Sequence, residues 1–164
     1  MAVTIAGVST LGVTLSYGVE TTAGTKPAAF TLLPRVNSIS GIELDTEEID
    51  ASALEDMVER NISGRQSTGG DWSFDFNLTS ETEPIYKAML EAAQTGLASN
   101  KRTWFQIIIP NLTKAFFVVA QPGTKIPLPD LGQNELLVAS IACTIDEYKE
   151  MDTKVTPTDP STTT

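Results

Sequence analysis

The stretch Trp72-Ser73-Phe74-Asp75-Phe76-Asn77-Leu78-Thr79 decides the fold. Large apolar side chains at Trp72, Phe74, Phe76 and Leu78 alternate with small polar ones at Ser73, Asp75, Asn77 and Thr79. A period of two belongs to a β-strand and puts the aromatics on one face and the polar set on the other. Such a strand belongs to a sheet that is packed on one side and wet on the other.

Further strands are expected on both sides of it. Upstream, Ala29 to Leu33 and Asn37 to Leu44 read as short strands separated by Pro34, with some strand at Ile49 to Ala53. Downstream come Thr103 to Ile109, Lys114 to Gln121 and Glu135 to Glu147, with Asn111-Leu112-Thr113 as a tight hairpin turn between the first two. Ile107-Ile108-Ile109 and Phe116-Phe117-Val118-Val119 are apolar on both faces, so these strands require cover from both sides. One helix is expected over about 83–95. Ser80 or Thr82 would cap it, Glu83 and Pro84 suit its first turn, Ile85, Ala88, Met89 and Ala92 form its apolar stripe, and Gly96 stops it. The expected architecture is a mainly β fold: an antiparallel β-sandwich or open barrel, with one flanking α-helix. Strand edges in such a fold need protection, from lone charges such as Lys101, Arg102 and Lys114 or from pairing with identical neighbours.

Two regions flank this folded body, 29–148, and one long loop lies within it. Residues 1–28 are small and polar and read as an N-terminal arm, either lying on a neighbouring molecule or loose. About 52–70 reads as one long loop, a length that is uncommon unless it serves a function. It closes an acidic stretch that contains Glu43, Asp45, Glu47, Glu48, Asp50, Glu55, Asp56 and Glu59. Residues 149–164 are rich in Thr, Ser and Pro and read as a flexible tail.

Composition narrows function. The 164 residues make one domain's worth of chain. The absence of histidine removes Ser-His-Asp and Cys-His catalysis. Cys143 is the only cysteine, so no internal disulfide and no Cys/His zinc site can form; in the apolar run Val138 to Ile145 it reads as a small buried hydrophobe. A net charge of −10 disfavours binding to nucleic acid or to anionic membranes. No segment approaches the ~20 apolar residues of a membrane span, and Met1 to Leu15 lacks the basic start of a signal peptide. Carboxylates such as Asp45, Glu47 and Asp50 could pair for glycoside hydrolysis, but a solvated loop explains them equally and no third group orients them. No calcium loop of the Asp-x-Asp-x-Asp-Gly kind is present. The expectation is a non-enzymatic protein without cofactor or metal.

An ordered set of segments gives a family resemblance. It runs from Gly12-Val13-Thr14-Leu15-Ser16-Tyr17-Gly18 through Phe30 to Pro34, Val36 to Ile39, Glu48-Ile49-Asp50, Leu54-Glu55-Asp56, Arg60 and Ser63-Gly64. Thr68-Gly69-Gly70-Asp71 then leads into the aromatic strand, and Thr103-Trp104-Phe105 opens the strand after the helix. In order and spacing these resemble the major tail proteins, or tail tube proteins, of long non-contractile-tailed phages, over nearly the whole chain. The C-terminal immunoglobulin-like domain that some members carry is not in this sequence.

The resemblance implies a β-sandwich similar also to type VI secretion tube proteins. It implies a structural subunit that forms hexameric rings, stacked into a hollow conduit for DNA ejection. The partners implied are further copies of the chain, the tape-measure protein held in the lumen, and tail terminator and baseplate or tip proteins. Double-stranded DNA passes without specific binding, no membrane is involved, and the implied location is the virion tail after assembly in the host cytoplasm. On this reading Ser73, Asp75, Asn77 and Thr79 are candidates to face the lumen, the alternative being an ordinary outer sheet face. Glu48, Asp50, Glu55, Asp56, Arg60 and Arg65 are candidates for contacts between subunits or rings, the alternative being a solvated acidic loop. The other readings are a type VI secretion-like tube subunit and a ligand-binding β-sandwich module; the latter usually carries a secretion signal and exposed aromatics.

Overall fold

A computed structural model describes residues 6–160. In chain order the strands are β1 (Thr14–Val19), β2 (Thr31–Leu33), β3 (Val36–Ile39), β4 (Asp45–Asp50), β5 (Asn61–Ser67) and β6 (Asp71–Asn77). Helix α1 (Thr82–Ala98) follows, then β7 (Thr103–Ile108), β8 (Lys114–Pro122) and β9 (Val138–Thr153). Seven strands form one antiparallel sheet in the order β2-β1-β7-β8-β9-β6-β3, and β4 and β5 form a separate pair. The fold is a mainly β sandwich with a single flanking helix, as the sequence predicts.

The aromatic strand shapes it. Trp72, Phe74 and Phe76 are buried and meet strands that are not their sheet neighbours: Trp72 and Phe74 lie 5.2 and 5.7 Å from Phe105 of β7, ring centre to ring centre. Two strands, β8 and β9, separate β6 from β7 in the sheet, so these contacts require the sheet to roll over on itself. The roll stays open between its end strands β2 and β3, which are joined by the two-residue turn Pro34-Arg35, with Arg35 at φ 58°. Helix α1 packs on β1, β7 and β8, stacks Tyr86 on Phe76 at 3.7 Å, and donates the Tyr86 hydroxyl to the Pro34 carbonyl at 2.7 Å. That bond ties the helix to the turn that spans the opening.

Several elements differ from the sequence reading. The buried stripe of α1 is Tyr86, Met89, Leu90, Ala93 and Gly96, whereas Ala88 is exposed and Ile85 and Ala92 are half-buried. Both sets have helical spacing; the bulk of Tyr86 and Leu90 favours the observed one. The Thr79 hydroxyl, not Ser80 or Thr82, accepts the first backbone N–H groups, from Glu81 and Thr82 at 3.2 Å. Thr82 instead donates its hydroxyl to the Asn77 carbonyl at 2.8 Å. Gly96 lies inside the helix, which ends at Ala98, and Asn100 takes the left-handed conformation (φ 61°).

The N-terminal arm is shorter than 1–28. Thr14–Val19 is an internal strand between β2 and β7, with Leu15 and Ser16 buried. Its glycine reads as a loop residue, but a Cβ at Gly18 would lie 2.6 Å from the Ala29 carbonyl oxygen, so close packing demands it. The expected loop 52–70 contains strand β5, Asn61–Ser67, which pairs with β4 from Asp45↔Ser67 to Asp50↔Asn61, so the irregular part is mainly the tip 51–60. Both strands of that ribbon face solvent on both sides, so no apolar alternation announces them. The expected tail 149–164 is also shorter. Strand β9 runs to Thr153 through two register shifts against β8, and these interrupt its alternation beyond Asp146. The chain then crosses the outer face of β7 and β8, where Val155 packs with Phe30, Trp104 and Phe117, supplying the second cover that these strands need. Buried Gln106 holds it there, donating to the Val155 carbonyl and accepting from the Val155 N–H, each at 2.8 Å. The segment ends beside β2, where the Leu32 N–H donates to the Thr158 carbonyl and the Thr158 N–H to the Phe30 carbonyl, each at 2.8 Å. Residues 1–5 and 161–164 of the expected arm and tail lie outside the described residues.

Gly96 gives a test. Glycine to alanine inside a helix ordinarily stabilises by about 1 kcal/mol. Here the added methyl would lie 2.6 Å from Val19 Cγ1 and 3.2 Å from the Lys101 carbonyl oxygen. Gly96→Ala is therefore expected to destabilise by about 1–2 kcal/mol in urea unfolding, and Val19→Ala in the same chain to recover part of the loss. Stabilisation by Gly96→Ala would refute this docking of α1 on β1.

Candidate functional site

The face of the rolled sheet turned away from the core carries a continuous polar surface over β3, β6 and β9. Alternation on β6 puts Ser73, Asp75 and Asn77 there, half-buried, opposite the aromatics. A register shift between Val36 and Ser38 turns both Asn37 and Ser38 of β3 outward. The cross-strand partners bond side chain to side chain. Ser38 donates to Asp75 at 2.9 Å, Asn37 to Asn77 at 3.2 Å, and the Ser40 and Ser73 hydroxyls share a bond of 2.9 Å. On the other side of β6, Asp75 pairs with Ser140, Ser73 with Ala142 and Asp71 with Thr144 of β9, all exposed on β9. Apart from Ala142, these positions carry hydroxyls, amides and short carboxylates, and none of them is a lysine or arginine; Lys149 lies further along β9. Of the lumen candidates, Ser73, Asp75 and Asn77 share this surface. Thr79 lies beyond the strand and is used to cap α1.

Arg102 stands at the far end of β9, and its charge is bound. Its guanidinium reaches Asp146 at 2.8 Å, Glu147 at 3.1 Å and Glu20 at 3.3 Å, and the Glu20 carboxylate also accepts the Arg102 backbone N–H at 2.7 Å. Burial alone would raise the pKa of Glu20. The Arg102 backbone and side-chain hydrogen bonds outweigh burial and hold the carboxyl below its ordinary range. Bonds to Asp146, against some burial, and to the other two carboxylates push Arg102 upward, so its charge is fixed. This cluster ties the end of β1 to β7 and β9.

The second feature is the ribbon of β4 and β5, which carries all six candidate contact residues. Every position of its strands is exposed except Gly64, and Ile49↔Ile62 is its one apolar cross-strand pair. A two-stranded ribbon alone is marginal in water. Its tip, 51–60, is ordered by local bonds. Asp50 accepts the Ser52 N–H at 2.9 Å, Asp56 accepts the Ala53 N–H at 2.8 Å and meets Arg60 at 3.6 Å, and the Ser52 hydroxyl accepts the Arg60 N–H at 2.8 Å. Asp50, Asp56 and Arg60 therefore shape the tip. The side chains of Glu48, Glu55 and Arg65 make no hydrogen bond or ion pair among the described residues. The acidic sequence did not reveal the apolar part of the tip: Leu54 and Met57 are fully exposed and Val58 nearly so. Exposed large hydrophobics gathered at the end of a projecting ribbon mark an interaction surface.

Cys143 is buried and its thiol is pushed up to about 12 by burial, so it is unreactive. Among the described residues, no group of three or more His, Cys, Asp or Glu could hold a metal ion, and no helix is long and apolar enough to cross a membrane.

No protein-family model matches the sequence, and no curated protein is significantly similar to it. The fold does have solved counterparts. It is similar to a chain in a structure described as "Cryo-EM structure of the anti-feeding prophage (AFP) baseplate, 6-fold symmetrised", with a TM-score of 0.54, covering 93% of this chain and 96% of that one. At 10% identity the likeness is one of fold.

The Arg102 cluster predicts a pH dependence. Glu20 has a depressed pKa in the folded state, so its stabilisation is present above the ordinary value of 4.5 and fades as pH falls through the lower folded value. Glu20→Gln is expected to lower stability at neutral pH by about 1–2 kcal/mol. The two melting curves should converge in acid, where the wild-type carboxyl is protonated. An unchanging gap between them would argue against this role.

Proposed function

We propose that this chain is a structural subunit of a phage-tail or phage-tail-like particle, and that it builds the tube, a stack of six-membered rings with a lumen that conducts DNA. The observation that carries this reading is the polar surface formed by β3, β6 and the facing residues Ser140, Ala142 and Thr144 of β9, none of them a cation. Duplex DNA presents a negative charge every ~1.7 Å and binds lysine and arginine through counterion release. A wall of hydroxyls and amides with a few carboxylates offers no such anchor. It repels weakly, within the screening length of about 8 Å at physiological salt. Before ejection the same lumen would hold the tape-measure protein.

Two further features support it. β3 is an end strand of the sheet, with backbone groups that a neighbouring copy can pair, and ring closure abolishes free edges. The ribbon extends beyond the sandwich with an apolar tip, suited to reach an adjacent ring. The fold shared with a component of a six-fold symmetrised baseplate agrees with six-fold assembly. It also favours a second reading, in which the chain forms one terminal ring of a baseplate. The difference is measurable, because a tube subunit adds rings indefinitely whereas a baseplate component stops at one. Neither role requires an enzymatic activity.

Electron microscopy of concentrated protein is expected to show rings and tubes. Single rings alone would favour the baseplate reading, and a persistent monomer would overturn both. Replacing 45–67 by a short Gly-Ser link is expected to leave the melting temperature within about 2 °C and to prevent stacking, since the ribbon belongs to no other sheet. Lysines at Ser73, Ser140 and Thr144 are expected to leave assembly intact but make the tubes retain duplex DNA at low salt. Tubes with these lysines that release DNA as readily as the wild type would remove the charge argument.

A further inference from the structure

A groove of about 870 Å³ opens where the rolled sheet fails to close. Half-buried Val36 and Ile39 of β3, with Ile42 just beyond, form one wall, and Trp72, Ile107 and Val118 come from the other strands. None of the residues lining it is charged, although 20% of the chain is. The edge of β3 beside it is free, since among the described strands β3 pairs only with β6. An apolar slot next to a row of unpaired backbone groups suits an extended segment whose apolar side chains alternate.

The chain carries such a segment beside the groove. Residues 9–13 line it, and the Val13 N–H donates to the Thr10 carbonyl at 3.3 Å, closing a turn with Gly12 at φ 84°. The turn reverses the chain ahead of β1, so what precedes Thr10 leaves from the groove's own rim.

We propose that residues 1–5 of the same chain, which lie outside the described residues, dock here as an added edge strand on β3. Val3 and Ile5 enter the groove, and Ala2 and Thr4 face solvent. The first argument is pattern. Met1, Val3 and Ile5 alternate with Ala2 and Thr4, and none of these side chains is charged. Val3, Thr4 and Ile5 are also β-branched, which favours a strand. The second is reach. At about 3.3 Å per residue the chain from Ser9 back to Val3 covers ~20 Å, enough to span the β3 side of the groove at 36–42. The third is the tether. A segment joined to the rim meets the groove at an effective concentration on the order of millimolar, far above that of a second copy in dilute solution. Ordering five residues costs about as much entropy as their few apolar side chains and new backbone bonds recover, so the docked segment is displaceable.

The consequence rests on the tube reading. The free edge of β3 is the one a ring neighbour pairs, so the docked segment caps it in the lone subunit and must leave before a ring closes.

The test uses the full chain, first at a dilution where it is monomeric. Amide hydrogen exchange over 36–42 is expected to be at least ~tenfold faster in Val3→Glu than in the wild type, because an unpaired carboxylate in an apolar slot disfavours docking. An unchanged melting temperature shows that Val3→Glu is folded; if it is not, Ile5→Glu replaces it. Thr4→Cys labelled with benzophenone-maleimide, mixed with isotope-labelled unmodified protein and irradiated, is expected to cross-link to 36–42 of its own chain. Buried Cys143 escapes the label. Cross-links to 36–42 of the isotope-labelled copy would make a second copy the occupant, and exchange indifferent to Val3→Glu would remove the segment from the groove; either overturns the proposal. At assembling concentrations, light scattering is expected to show Val3→Glu forming rings at least several-fold faster. Tubes that form no faster in Val3→Glu would leave the tube reading standing and overturn the cap. Links within one chain and slowed exchange, without rings at any concentration, would leave the docked segment and remove the tube.

Discussion

The alternation along β6 is the constraint from which the remainder follows. This strand lies between β9 and β3, with its register fixed on both sides from Asp71↔Thr144 to Asn77↔Val138 and from Val36↔Phe76 to Ile39↔Phe74. A slip of one residue would drive Asp75 into the cluster of Phe74, Phe76, Tyr86 and Phe105 and expose the aromatics. That penalty makes the register unique. It also settles the chemistry of the outer face, since every residue of this strand that is not core lies on that face. Core and outer surface are two readings of the same seven residues.

Strands with one wet and one dry face were legible in the sequence, because burial writes itself as alternation. The course of β6 and the first half of β9 follow from it, whereas β7 and β8 show themselves as apolar runs. Elements held by something other than a buried face were not legible. The ribbon of β4 and β5 has solvent on both sides and reads as an acidic loop. β1 carries Gly18, where the backbone packs closely, and buried Ser16, whose hydroxyl accepts from Gln106, and composition disguised it as part of an arm. The segment after Thr153 looks like a Thr/Pro tail, yet it is anchored by Gln106 from 49 residues away. Long-range bonds of this kind leave no local trace.

The candidate site shows the same division. Ser73, Asp75 and Asn77 were readable as one face of a strand, but their union with Asn37, Ser38 and Ser40 depends on an irregular register that no local pattern encodes. Charge drew attention to the ribbon but not to its apolar tip. Its acids are conspicuous in sequence, yet Asp50 and Asp56 are engaged in turns, and exposure singles out Leu54, Met57 and Val58 instead. Three apolar residues among acids carry no periodic signal, and only their position at the end of a projecting element gives them meaning.

The ribbon re-enters the sheet through Gly69 and Gly70, both left-handed (φ 79° and 80°) with open space where a side chain would sit. Two such residues in series turn the chain from β5 into β6 through a backbone conformation that side chains resist, and the Ile145 N–H holds the Gly70 carbonyl there at 2.8 Å. The angle at which the ribbon leaves the sheet is therefore set by a joint that favours glycine at both positions.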